Sequence, residues 1–62
     1  MYKITFKARG ANALNAIKRL KTIGLAPDLF CGVITLESEE YKNVYSLVKD
    51  LAILDWDVQP IN

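Results

Sequence analysis

The spacing of the apolar residues changes along this chain from every second residue to every three or four, and later back again. The segment Tyr2–Lys7 alternates strictly, with positions 2, 4 and 6 on one side and positions 3, 5 and 7 on the other. Such alternation is typical of a strand with one buried face. The chain must therefore combine strands with amphipathic helices, which limits it to folds that pack helices on a sheet.

A helix is predicted over residues 13–23, where six apolar residues fall on one half of the helical wheel. Asn12 or Gly10 is expected to cap its start. Gly24 stands where a left-handed residue closes a helix, and the leucine after it is expected to fold back onto the last turn. Pro27 then prevents the helix from continuing.

Residues 28–37 leave two interpretations open. Leu29-Phe30 and residues 33–36 are both strand-like, and Cys31-Gly32 between them fits a two-residue hairpin turn. The alternative is one longer strand with a bulge at Gly32. We favour the hairpin; if residues 28–31 form only a loop, the element order becomes β-α-β-α-β.

The second helix is predicted to begin at Ser38, a good N-cap residue, with Glu39 and Glu40 near the positive end of the helix dipole. Apolar residues then recur at helical spacing up to position 51. After Ala52 the period returns to two, which predicts a last strand that Pro60 ends or places at a sheet edge. In this strand the inward residues would be Leu54, Trp56 and Val58, and the outward ones Asp55, Asp57 and Gln59.

The predicted fold class is therefore α/β, an α+β sandwich of the ferredoxin-like β-α-β-β-α-β type, with two helices on one face of an antiparallel sheet. In that topology the last strand lies beside the first, and Lys3 and Lys7 would face Asp55 and Asp57 across the pair. The chain is short enough to form one domain, residues 1–62. The uncovered sheet face is expected to carry Val33, Thr35, Ile53 and Ile61.

The residue inventory argues against an enzyme, a cofactor or a metal centre. The chain has no histidine and one cysteine, so it lacks the commonest general base, an internal disulfide and a cysteine-rich zinc site. No signal-peptide pattern and no run of about 18 apolar residues occur. We therefore expect a cytoplasmic protein without a membrane segment.

The charges are segregated along the chain. Residues 1–26 hold six cations and no acid, and residues 27–62 hold seven acids and two cations, so the halves carry +6 and −5 and the net charge is +1. Three interpretations remain open: a solvated helix face, a contact surface for an acidic protein, or a nucleic-acid footprint. Nucleic acid is the weakest of the three, because the acids would repel a polyanion over half of the surface.

Two candidate sites follow from these patterns. The helix around residues 13–23 and its entry turn carry cations, and two tyrosines border the apolar face of the second helix, which suggests a contact surface for an acidic partner. The residues of this predicted surface are Arg9, Lys18, Arg19, Lys21, Tyr41 and Tyr45. A glycine turn before a helix N-terminus can also bind an anion or small ligand. The residues of that second site are Arg9, Gly10, Ala11 and Asn12.

The strand, the glycine turn and the amphipathic helix resemble, in layout, the ACT-type amino-acid-sensing domains. The resemblance spans most of the chain but includes no specific motif, and Arg9 stands where those domains usually have a proline. It implies a homodimer that pairs through sheet edges or through the outer sheet face, with ligands near residues 9–12.

The sequence thus favours a small non-catalytic protein-interaction module, an inhibitor or adaptor that occludes a larger macromolecule. Small inhibitors and proteins of viruses or mobile elements that block host machinery have this character. A homodimeric ACT-like ligand sensor and a nucleic-acid-binding protein are the alternatives.

Overall fold

A computed structural model describes residues 1–61 and contains four strands and two α-helices in the predicted order. The strands form one antiparallel sheet in the order β2-β3-β1-β4. The fold is therefore the α+β ferredoxin-like arrangement that the sequence predicts. The elements are β1 (Tyr2–Lys7), α1 (Ala11–Thr22), β2 (Asp28–Phe30), β3 (Val33–Ser38), α2 (Tyr41–Val48), a 3₁₀ turn (Lys49–Leu51) and β4 (Leu54–Pro60).

The segment that the sequence left ambiguous is a hairpin. β2 and β3 pair directly, with Phe30 opposite Val33. The two residues between them, Cys31 and Gly32, have φ angles of 52° and 78°. Two consecutive positive φ angles are the signature of a type I′ turn, whose twist matches that of the flanking strands. The hairpin prediction is confirmed, and the single bulged strand and the loop are excluded.

α1 begins at Ala11, two residues earlier than predicted. Gly10 takes the N-cap position without a side-chain hydrogen bond to the helix, and Asn12 lies inside the first turn. The backbone closes the turn by itself, because the amide of Asn12 donates to the Arg9 carbonyl and the amide of Ala13 donates to the Gly10 carbonyl, each at 3.1 Å. The helix therefore starts as soon as the glycine turn is complete.

The end of α1 follows the prediction closely. Gly24 has a φ of 85°, and its amide donates to the carbonyl of Lys21 at 3.1 Å. The Leu25 amide donates to the carbonyl of Leu20 at 3.2 Å. These two hydrogen bonds define a Schellman motif, in which Leu25 folds back and packs against the core.

The start of α2 differs from the prediction. Ser38 is the last residue of β3, where it pairs with Tyr2, and α2 begins three residues later at Tyr41. The Ser38 hydroxyl accepts a hydrogen bond from the Glu40 amide at 3.2 Å, so it shapes the turn instead of capping the helix. Glu40 is the N-cap residue, in extended conformation, and its carboxylate Oε2 accepts a hydrogen bond from the side-chain Nδ2 of Asn43 at 2.6 Å. Pairing with β1 holds β3 extended for longer than the local capping signal indicated.

The hydrophobic core lies between the helices and one face of the sheet. Two small residues of α1, Ala13 and Ala16, are buried there and let this helix approach the sheet closely. Ile53 was predicted on the uncovered sheet face, but it packs against the core just before β4. The largest fully buried side chains are those of Ile4, Phe6, Leu20, Ile34, Val44 and Val48.

β4 pairs antiparallel with β1, as predicted, but a β-bulge interrupts the pair. Thr5 lies opposite Asp57, whereas Lys7 lies opposite Leu54, so β4 has one extra residue in between. Asp55, at the bulge, has a φ of 54°. The predicted inward position of Leu54 is therefore wrong: the bulge places it on the uncovered face beside Lys7, and its side chain is 48% exposed.

Candidate functional site

The Arg19 side chain is engaged within the protein. Its guanidinium Nη1 donates to the backbone carbonyl of Leu47 at 2.9 Å and to Asp50 Oδ1 at 2.7 Å. The hydrogen bond from Arg19 holds the pKa of the Asp50 carboxyl below its usual value. Arg19, predicted as a contact residue, thus also links α1 to the C-terminal end of α2.

The other cations of the predicted surface face solvent. Lys18 and Lys21 are exposed on α1, at the helical spacing that places them on one stripe with Leu14, whose side chain is 58% exposed. Arg9 is exposed in the turn that precedes the helix. The ion pairs found within residues 1–61 are Lys7–Asp55, at 3.2 Å, and Arg19–Asp50. Lys18, Lys21 and Arg9 therefore carry positive charges that no ion pair within residues 1–61 neutralises.

The predicted charge pairing across β1 and β4 is half confirmed. Lys7 pairs with Asp55, and both side chains remain largely exposed. In the regular part of this strand pair, Lys3 lies opposite Gln59 and Asp57 lies opposite Thr5, so Lys3 faces no acid of β4 directly. Asp57 is thus left as an exposed acid on the uncovered face of the sheet.

The predicted anion site at residues 9–12 lies at the N-terminus of α1. Two of the amides that an anion would need, those of Asn12 and Ala13, already donate to the backbone carbonyls of the turn. A helix N-terminus attracts anions through its unpaired amides, so this turn offers fewer donors than an open helix end. The site stays a prediction, and the geometry gives it little support.

The surface richest in aromatic side chains lies between α2 and β4. We call it the aromatic groove: an open depression of about 490 Å³ that is lined by Tyr41, Lys42, Tyr45, Ser46 and Trp56. The rings of Tyr45 and Trp56 meet edge to face, with centroids 5.0 Å apart and an interplanar angle of 71°. Tyr45 remains 45% exposed.

Both walls of the aromatic groove are anchored to the core. The Trp56 ring lies 5.8 Å from the ring of Phe6, which is buried. On the helix side, Tyr41 meets Tyr2 edge to face at 4.9 Å. The rings are therefore held by packing, and Tyr45 adds an accessible ring to a fixed platform.

Of the three aromatic residues that line this groove, sequence reasoning identified two and missed the third. Tyr41 and Tyr45 were predicted at the border of the apolar face, and the structure places Tyr41 half-buried and Tyr45 exposed. Trp56 was assigned only to the core, because an inward strand position is all that alternation reveals. Its part in the groove depends on α2 lying next to β4, which is a tertiary fact.

The uncovered sheet face carries an aromatic residue that the sequence analysis did not place there. Phe30 of β2 is 74% exposed and lies opposite the outward residue Val33. Strand register brings two cations, Lys3 and Lys7, onto the same face. The acids that share this face are Asp28, Glu37 and Asp57. This balance does not favour binding of a phosphate backbone.

Residues 1–61 contain no group of three His, Cys, Asp or Glu side chains that could hold a metal ion. Cys31 is exposed in the hairpin turn. No helix within the described part of the chain is long and apolar enough to cross a membrane.

Comparison of the chain with protein-family models, with curated proteins and with solved structures gave no match.

Proposed function

We propose that this chain is a non-catalytic protein-interaction module, an inhibitor or adaptor that covers a surface of a larger macromolecule through the aromatic groove. The observation that carries the proposal is the exposed ring of Tyr45 held edge to face on Trp56. Tyr and Trp are the residue types that most often supply the binding energy of protein interfaces.

The packing of the groove lowers the cost of binding. Association normally requires flexible side chains to be ordered, which costs about 0.5–1.5 kcal/mol for each one. Tyr45 already rests on Trp56, and Trp56 already rests on the buried ring of Phe6. A partner would therefore meet a preorganised apolar surface and order little of it.

The shape and rim of the groove fit a macromolecular partner better than a small ligand. Small-molecule pockets enclose most of their ligand, whereas the aromatic groove is an open depression on the side of α2. Lys42 and Ser46 line it with an ammonium group and a hydroxyl group. Polar groups beside an apolar centre are the usual arrangement of a protein interface.

The cationic stripe on α1 supports an acidic partner. Lys18 and Lys21 lie outside the ion pairs of the described chain and would attract a negatively charged surface over a range of about 8–10 Å at ordinary salt. Such steering raises the association rate more than the affinity. The stripe would therefore orient the encounter, and the aromatic groove would supply the lasting contact.

The proposal is tested by affinity capture of partners with the full chain and two matched variants. Tyr45→Arg places a charge in the groove, and Phe30→Arg makes the same kind of change on the uncovered sheet face. We expect a partner that the wild type and the Phe30 variant retain, and that Tyr45→Arg retains at least tenfold less. Circular dichroism and thermal melting show whether both variants keep the fold. Equal retention by both variants would remove the groove from the proposal.

The uncovered sheet face favours a second candidate, the homodimeric ligand-sensing domain. Phe30 and Leu54 expose apolar surface there, which a second copy would cover. The test is absolute mass by light scattering at low and high salt, together with thermal shift against amino acids and nucleotides. This candidate requires a dimer that persists at high salt, weakens with Phe30→Ser and melts higher with one ligand class. A monomer at every salt level excludes it.

A further inference from the structure

One side of β4 has no neighbouring strand within residues 1–61, because the sheet order is β2-β3-β1-β4. The other side of β4 pairs with β1. Its hydrogen-bond pattern follows from Ile61, whose amide donates to the Met1 carbonyl at 3.0 Å, so that Met1 and Ile61 are a hydrogen-bonded pair. Hydrogen-bonded pairs alternate along an antiparallel ladder. In the observed register, Gln59 and Asp57 therefore bond to β1, and Val58 between them points its amide and carbonyl away from β1.

The side chains at this edge divide between two surfaces. Val58 lies opposite the buried residue Ile4 and packs against the core, on the same side of the sheet as the aromatic groove. Asp57 lies opposite Thr5, on the uncovered face. A strand added beside β4 would thus direct the side chain opposite Val58 towards the groove. The neighbouring residues of that strand would lie beside Asp57 and Gln59.

Both ends of the edge restrict what can pair with it. Pro60 occupies the same hydrogen-bonding position as Val58 but has no amide hydrogen to donate. At the other end, the bulge at Asp55 interrupts the regular strand. Only a short segment centred on Val58 is left for pairing, so an added strand has one register available. Proteins use such devices to keep sheet edges from pairing indiscriminately.

We propose that this edge and the aromatic groove together bind an extended segment of the partner, which adds to the sheet as a strand. The segment carries a large apolar residue opposite Val58 and a lysine or arginine beside it, opposite Asp57. Backbone hydrogen bonds to Val58 hold the segment, and the groove and the Asp57 carboxylate select its side chains. The inference rests on the proposed function and names the class of partner that the groove takes.

Charge favours a foreign segment over a second copy of this chain. A twofold pair centred on Val58 would place Asp57 against Gln59 of the other copy and supply no cation. The other edge strand of the sheet, β2, would bring Asp28 instead of a cation. Neither edge of a second copy therefore provides the residue that complements Asp57.

The experiment selects 12-residue peptides from a random displayed library on the full chain and measures their Kd by fluorescence polarisation. We expect the selected peptides to alternate apolar residues with lysine or arginine. N-methylation of the peptide residue that faces Val58 should weaken binding at least tenfold, and methylation of either neighbour less than threefold. Asp57→Lys should weaken the same peptides about tenfold, whereas Asp28→Lys on the far edge should leave them unchanged.

Other outcomes separate the inference from the function on which it rests. A library without binders, peptides without alternation, or binding that no single N-methylation weakens would overturn strand addition. If capture of the partner still depends on Tyr45 in that case, the proposed function stands and only the inference fails. If strand addition fails and capture of the partner does not depend on Tyr45 either, both the inference and the proposed function are overturned. A dimer of the full chain that the peptides dissociate would make a second copy the occupant and would also overturn the inference.

Discussion

The two helices lie on the same face of the sheet but are held by different means. α1 has twelve residues and ends in a Schellman motif at Gly24, whereas α2 has eight residues and no glycine at its C-terminal end. Neither helix has a side-chain hydrogen bond at its N-cap. α2 passes into the 3₁₀ turn Lys49–Leu51, which is followed by Ala52, a non-glycine residue with a φ of 53°. Local sequence signals therefore define α1, whereas packing against β1 and β4 defines α2.

The largest expected effect separates the two faces of α1. Leu20 is fully buried, so Leu20→Ala should lower the free energy of unfolding by about 2–5 kcal/mol, which is most of the stability of a domain this small. Leu14→Ala, on the exposed stripe, should change it by less than about 0.5 kcal/mol. Urea denaturation followed by circular dichroism measures both. Similar losses in the two variants would mean that the outer face of α1 is not a free surface.

The next prediction tests whether the local signal at the end of α1 is needed. A Cβ at Gly24 would meet no atom within 4 Å, so the cost of Gly24→Ala comes from the left-handed backbone alone. That cost is about 1 kcal/mol of unfolding free energy. Thermal and urea unfolding should both show it. An unchanged midpoint would indicate that tertiary packing, and not the glycine, ends the helix.

The same contrast explains how much of the fold the sequence predicts. Local sequence signals determine β1, α1 and the hairpin turn, and the type of each was predicted correctly. The signals are the alternation in β1, Gly24 at the end of α1 and Cys31-Gly32 in the turn. The start of α2 was misplaced at Ser38 because pairing with Tyr2 extends β3 to that residue. Pairing between strands that are distant in the sequence cannot be recognised within a window of ten residues. Prediction from local sequence therefore fails where such pairing determines the structure.

The candidate site was predicted less completely than the fold, for a related reason. Tyr41 and Tyr45 stand out at a helix border, but the groove also needs Trp56 from a strand eleven residues further along the chain than Tyr45. The bulge at Asp55 likewise moved Leu54 to the other face of the sheet. Arg19 looked like a free cation because its partner, Asp50, lies in the 3₁₀ turn after α2, far away in the sequence.

A third prediction concerns Ala52, after the 3₁₀ turn that follows α2, where introducing glycine should stabilise the fold, in contrast to the loss expected when Gly24 is replaced. Ala52 holds a left-handed conformation that disfavours residues with a Cβ, so Ala52→Gly should relieve backbone strain. The greater freedom of glycine in the unfolded chain offsets part of this gain. We expect a net stabilisation of about 0.5 kcal/mol in urea unfolding. Destabilisation instead would mean that the Ala52 methyl group makes a packing contribution larger than the strain.

The smallest expected effect concerns the link between the helices. The hydrogen bond from Arg19 holds the pKa of Asp50 in the folded state below its usual value, so the unfolded chain binds the proton more readily. The resulting stabilisation is fully present above the unfolded pKa and is lost as the pH falls through the folded pKa. Asp50→Asn should therefore lose less stability than the wild type when thermal melting is followed from pH 6 to pH 3.

The matched control for this link is Asp28→Asn, which removes an exposed carboxylate from β2 that takes part in no ion pair of the described chain. It should follow the wild-type curve over the same pH range. Because the Arg19–Asp50 pair is largely exposed, 0.5 M salt should reduce the difference between Asp50→Asn and the wild type. If the curves of Asp50→Asn and the wild type coincide at low salt, α2 is held only by its apolar contacts and by the hydrogen bond from Arg19 to the Leu47 carbonyl. The contrast with α1 then becomes sharper. If they differ, electrostatic attraction to α1 is part of what positions α2, and with it the wall of the aromatic groove.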